Sequence, residues 1–259
     1  MMKKRKLISA SMILFELRNV IGNPFIHIFG IGMPIFFLII LSKSVTSGMN
    51  DADLVSTIVT SMFLSIGPLI PLATIFIGYA ASCSQEIEKG IPQRMELFGI
   101  SKKVSLCNRA ISEGIFMLLA FLIYIFVAVV TLDLKKPVIS GVLIYIVCIL
   151  VLSIILFVLA HAIANLLRKF GATYCITMLL YFAFMVLGGM MGISYDQMPK
   201  GMQIAAKMVP MTYISKDFVT VWGGKNYNFM PMVQSYLFLA AVAGILLLIV
   251  LKKTERKVH

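Results

Sequence analysis

Six long apolar stretches, separated by charged or turn-forming segments, dominate the hydrophobic pattern, roughly at 24–41, 54–83, 110–132, 138–167, 172–192 and 230–251. A helix needs about 20 apolar residues to cross a hydrocarbon core, and each stretch qualifies or comes close. The second and fourth exceed that length, so they are expected to tilt or to run on past the membrane. Gly67, Pro68 and Pro71 predict a kink in the second, because proline removes a backbone donor and the freed carbonyl needs another partner. Ahead of the first stretch the periodicity is helical. Leu7, Ala10, Ile13, Leu14, Leu17, Val20 and Ile21 share one arc, and Arg5, Ser9, Glu16, Asn19 and Asn23 the other, with Ile8 and Phe15 off the apolar arc. That pattern predicts an amphipathic helix lying in the membrane interface rather than a cleaved leader, since Glu16 and Arg18 interrupt the apolar run.

Composition fixes the class. Of 259 residues, 60% are apolar and only 13% charged, and the mean hydropathy is +0.97. A soluble fold of this size cannot hide so much apolar surface. The chain is therefore expected to be an all-α integral membrane protein, which excludes a soluble enzyme, a secreted disulfide scaffold and a nucleic-acid-binding domain. The net charge of +12 then orients the spans instead of marking a nucleic-acid partner. Sixteen of the 23 Lys and Arg residues fall at the termini and in the segments near 84–109 and 168–169, and seven fall in the alternate segments. This bias predicts both termini in the cytoplasm and a plasma-membrane location. Cys83, Cys107, Cys148 and Cys175 are separated and sit in or beside apolar runs, so packing is expected rather than metal binding or redox pairing.

The search for catalytic chemistry yields little. His27, His161 and His259 are scattered, no phosphate-loop or zinc-site spacing is present, and the middles of the spans carry no carboxylate. Polar groups near membrane depth remain: Arg109 and Glu113, four apart and able to pair, His161 and Asn165, also four apart, and His27 near a span end, for which packing roles are expected. Gly188, Gly189 and Gly192 fit either close helix packing or a helix that stops at its glycines.

Two non-span segments carry the most information. The first, 84–105, is charged and broken by Gly90, Pro92 and Gly99. Within it Glu86-Ile87-Glu88-Lys89-Gly90, followed by Leu97, Gly99 and Arg109, resembles the E-x-E-x-G-T-L signature of type-2 ABC transporter permeases. The second, 193–229, is expected to hold a short helix over Met202, Ile204, Ala205, Ala206, Met208 and Val209, ended by Pro210. With Gly189, Pro199, Gln203, Pro210, Thr212 and Tyr213 it is similar to the outer motif of the same family, G-x-x-x-P … P-x-W-x-Q … N-P-x-T-Y. Ile91-Pro92 stands where the family has Thr-Leu, Gly201 or Met202 where it has Trp, and Val209 where it has Asn.

The resemblance implies a single transmembrane domain over 1–259, with an interfacial helix at 1–23, spans within 24–192, a coupling loop at 84–105, short outer re-entrant helices at 193–229, a last span at 230–251 and a basic tail at 252–259. It implies a permease subunit of an ATP-driven exporter in a bacterial-type cell, carrying no cofactor itself. ATP and Mg would be bound by a separate ATPase, present in two copies, beneath two identical or homologous permeases. Glu86, Glu88, Lys89, Gly90, Arg94 and Glu96 would dock that ATPase. The path would run at the permease pairing interface, and the candidate lining is Met33, Phe36, Phe37, Met62, Phe63, Met178, Phe182 and Met185. An apolar, methionine-rich wall favours a lipophilic or amphipathic cargo, a drug or a membrane-active peptide. The alternatives are a polysaccharide or lipid exporter, an ion-coupled carrier, and a non-transporting scaffold or immunity protein.

Overall fold

The computed structural model describes residues 8–193 and 195–255, without the side chains of Phe25, Thr254 and Glu255. The basic residues expected at 3–6, 256 and 257, Leu7 of the apolar arc and His259 lie outside the described residues. Every regular element among those described is helical. Apart from two short pieces, Pro24–His27 and Tyr195–Gln197, they are in chain order α1 (Ala10–Ile21), α2 (Ile28–Thr46), α3 (Ala52–Glu88), α4 (Ile91–Leu97), α5 (Lys102–Thr131), α6 (Ile139–Leu167), α7 (Phe170–Leu187), α8 (Lys200–Ala206), α9 (Pro210–Trp222) and α10 (Met230–Glu255). Six of them, α2, α3, α5, α6, α7 and α10, are long and apolar enough to cross a membrane, as the hydrophobic pattern predicts.

The central element is α3. Eighty-three per cent of its most apolar window is buried inside the protein, against 22–44% for the other five spans. α2, α5, α6, α7 and α9 pack around it, α10 packs on α6, and α1 lies along α5. The expected kink is a double break: an α-helix ends at Ile66, a short turn spans Leu69–Pro71, and a π-helical run covers Leu72–Tyr79. Pro68 has no amide for the Leu64 carbonyl, and that carbonyl accepts instead from the Tyr145 hydroxyl of α6 at 3.1 Å. One residue earlier, the Phe63 carbonyl accepts from Tyr124 of α5 at 2.9 Å, with the two rings stacked 5.2 Å apart. Gly67 makes this approach possible, because a Cβ there would collide with the Tyr145 hydroxyl.

At the end of the bundle away from α4, the glycines stop α7. The helix ends at Leu187, and Gly189 and Gly192 adopt φ of +71° and +79°. The expected short helix is α8. It ends at Ala206, short of the expected Val209, so Pro210 does not end it and instead occupies the first turn of α9, where its missing amide costs nothing. α9 is a second helix that the composition did not announce. It buries Met211, Ile214, Phe218, Val221 and Trp222 against its neighbours. The Trp222 Nε1 donates to the Lys135 carbonyl at 3.1 Å, and the Lys135 ammonium pairs with Asp53 at 3.0 Å, so α9, the first turn of α3 and the loop ahead of α6 are sewn together.

Candidate functional site

α3 carries the Glu86-x-Glu88 motif on its last turn, and each glutamate holds a different neighbour. Glu86 Oε2 accepts from Arg109 Nη1 of α5 at 2.5 Å, with the arginine side chain 7% exposed. Glu88 Oε2 accepts from the backbone amide of Phe170 at 2.8 Å, the first residue of α7. A carboxylate at a helix N-terminus satisfies an orphan amide and complements the helix dipole. The base of the connecting segment is thus pinned to α5 and to α7 at once. Gly90 then turns the chain with φ +68° and ψ 22°, a left-handed conformation that costs a side-chain-bearing residue. Arg94 Nη2 donates back to the Lys89 carbonyl at 2.7 Å, and Glu96 pairs with Lys102 at 3.4 Å across the return turn.

Between these turns stands α4. None of its residues is buried. Its tip presents Leu97 and Phe98, 87% and 79% exposed, matched among the described large apolar side chains only by Ile139 at 79%. They stand among Arg94, Glu96 and Lys102, charged groups that a membrane core would exclude.

Behind the motif lies a buried polar cluster that sequence reading only half anticipated. Arg109 pairs with Glu86 across helices and not with Glu113 along its own helix, contrary to the expectation from their spacing. Both carboxyl oxygens of Glu113 lack a hydrogen-bond partner, as do Oε2 of Glu16 and Nε of Arg109. Glu16 is the other correction: placed on the polar, outward arc, it is 3% exposed. α1 uses Ser9, Ile13, Glu16 and Val20 against α5: the Ser9 amide donates to Asn108 Oδ1 at 2.9 Å, and Ser112 donates to the Ile13 carbonyl at 2.9 Å. Ile8, Leu14, Phe15 and Ile21 are left exposed. Burial raises the Glu16 carboxyl above the ordinary carboxylate range. Arg109 opposes that shift, Glu86 adds to it, and Asn19 opposes it through a hydrogen bond. On the far side, Arg109 lies 5.3 Å above the Tyr79 ring, and the Tyr79 hydroxyl meets His161 Nδ1 at 2.6 Å. Asn165 donates to the His161 carbonyl at 2.9 Å, and His27 Nε2 meets the Ile21 carbonyl at 2.6 Å, so these histidines are held by packing partners.

The candidate path residues do not form one surface. Phe36 and Phe182 are exposed, Met33, Phe37, Met62 and Met178 are half-buried, and Phe63 and Met185 are buried in the core. The outer-motif residues do come together. Gly189 meets Ser215 of α9, Gln203 donates to the Met198 carbonyl at 3.0 Å beside Pro199, and Tyr213 donates to the Lys207 carbonyl at 3.2 Å past Pro210. Thr212, from the same motif, donates to the Ala206 carbonyl at 2.7 Å and the Leu187 carbonyl at 3.0 Å, tying α9 to α8 and to the end of α7.

The family model described as ABC-2 type transporter matches residues 10–221, which covers every element from α1 to all but the last residue of α9. No curated protein and no solved structure matches the chain.

Proposed function

The chain belongs to the ABC-2 type transporter family as a membrane permease subunit, and from that premise we propose that α4 is the contact through which a separate cassette ATPase drives export of a lipophilic or amphipathic cargo. The observation that carries this reading is the pairing of a pinned base with a bare apolar tip. Burying one Leu or Phe side chain contributes about 1.5–3 kcal/mol, so Leu97 and Phe98 suit a groove on a soluble partner. The charges of Glu96, Lys102 and Arg94 around them set orientation. Glu86 and Glu88 then relay displacement of α4 to α5 and α7 in one step, because each holds a hydrogen bond to a different span.

In this reading both termini and α4 face the cytoplasm, α8 and α9 face outward, and a second permease, identical or homologous, completes the path. ATP and Mg stay on the ATPase. The path lining narrows to Met33, Phe36, Phe37, Met178 and Phe182, the members of the candidate set on or near the outer faces of α2 and α7. Co-purification with a co-expressed cassette ATPase tests the assignment. Leu97→Ser with Phe98→Ser should abolish ATPase capture while leaving thermal stability unchanged, because neither side chain is buried. Capture that survives the double variant would remove α4 from the contact.

A further inference from the structure

At the end of the bundle opposite α4, a cleft of about 550 Å³ opens between α9 and the first turns of α10, with Tyr195 and the end of α8 closing its rim. Its lining is mixed, charged and apolar. Lys207 and Lys216 are the cations in its lining. Lys216 is held in place, with its ammonium 4.4 Å from the Tyr195 ring centroid and 3.7 Å from Asp196. Lys207 is exposed and makes no ion pair among the described residues. The third charged residue, Asp217, already accepts a hydrogen bond from Tyr227 at 3.1 Å. Along α10 the wall passes from Pro231 through Gln234 and Ser235 to Phe238, a descent of about 10 Å at helical rise. Met208 and Phe238 are 45% and 46% exposed, the latter on the lipid-facing side of a span.

We propose that this cleft binds the acidic phosphate head of a bilayer lipid, with Lys207 and Lys216 on the phosphate and Met208 and Phe238 along the start of the acyl chains. Lys216 is held at the cleft by an aromatic ring and by Asp196, which already balances its charge, and Lys207, with no ion pair among the described residues, supplies the charge that the anion neutralises. The mixed lining matches an amphiphile lying along the membrane normal, not a soluble anion, which needs no apolar wall. Asp217 accepts one hydrogen bond from Tyr227 and keeps its charge, so it opposes the phosphate, and the anion is drawn by Lys207, which pairs with no carboxylate among the described residues. Nothing in this assignment depends on the ATPase contact at the other end.

Native mass spectrometry of the detergent-solubilised chain, titrated with dioleoyl phosphatidylglycerol or dioleoyl phosphatidylcholine, tests it. One phosphatidylglycerol per chain should be retained in preference to phosphatidylcholine, and Lys207→Gln with Lys216→Gln should weaken that retention about tenfold or more. Lys200→Gln with Lys225→Gln changes the net charge equally outside the cleft and should leave it intact. Asp217→Asn, which keeps an acceptor for Tyr227, should tighten it. Dodecyl phosphate serves as a single-chain competitor. Displacement is expected, because this amphiphile carries both the phosphate and the chain that the cleft reads, whereas failure to displace would overturn the assignment of the phosphate to Lys207 and Lys216. Equal retention of the two lipids, or equal loss in the two double variants, overturns the site altogether.

Discussion

Glu113 shows how one buried side chain shapes expectations. Its carboxyl has no donor, and the nearest cation is committed to Glu86. Burying a polar group without a hydrogen bond costs about 1–3 kcal/mol by mutational measures, so Glu113→Met, which keeps the length and removes the polar atoms, should raise the thermal midpoint of the purified protein. Arg109→Ala should do the opposite. It leaves the carboxyls of Glu86, Glu16 and Glu113 without their shared cation, a loss of about 3–5 kcal/mol that thermal unfolding in detergent would register. Glu16 adds a pH dependence with a definite sign. Its carboxyl is raised in the folded protein, so the docked helix binds the proton more tightly than the released one. Docking of α1 should therefore be strongest at pH below the ordinary carboxylate value, weaken as pH climbs to the raised value, and stay level above it. A fluorophore on Ser11→Cys in a cysteine-free background should report that release, and Glu16→Gln should flatten the profile. Little of this was legible beforehand. Arg109 and Glu113 stand out as charged residues in an apolar run, but their spacing favours a pair within one helix. Only the approach of α3 reassigns the arginine to Glu86, and a helical wheel cannot tell which arc of α1 meets the protein.

At the scale of elements, the spans were readable because about 20 apolar residues in succession have few other uses. Their ends were less so: α3 and α5 continue as helices through charged residues to Glu88 and from Lys102, where hydropathy has already fallen. The break in α3 was foretold by Pro68 and Pro71. Its repair by Tyr145 was not, since a tyrosine 81 residues along gives no local sign of its partner. Gly67→Ala should cost about 1–3 kcal/mol through overpacking against that hydroxyl, and combining it with Tyr145→Phe should recover part of the loss in the same thermal assay. α9 lies within the segment where the resemblance implied short outer helices, but its bounds were not read. Met211, Ile214, Phe218, Val221 and Trp222 share one helical arc, with Lys216 opposite it, and what that arc meets, α3 and the loop around Lys135, periodicity does not contain.

For the whole molecule, the hydrophobic pattern and two short motifs sufficed for the family, and the match over residues 10–221 bears that out. Orientation rests on charge bias, which can be tested directly. Gln93→Cys on α4 and Gly201→Cys on α8 lie at opposite ends of the bundle, so in a cysteine-free background an impermeant thiol reagent added to intact cells should label the second and spare the first until the cells are opened. Labelling of both, or of the first alone, would overturn the cytoplasmic placement of α4.

The missing amide at Pro68 also has a mechanical consequence. In an unbroken helix, bending stretches a ladder of main-chain bonds. At this point in α3 the Leu64 rung is a single phenol from another helix, and a phenol can swivel with the carbonyl it serves. The longest rod in the molecule therefore has its cheapest flexing point at mid-height. A push arriving at its Glu88 end is more readily turned into a change of angle there than carried intact to Ala52.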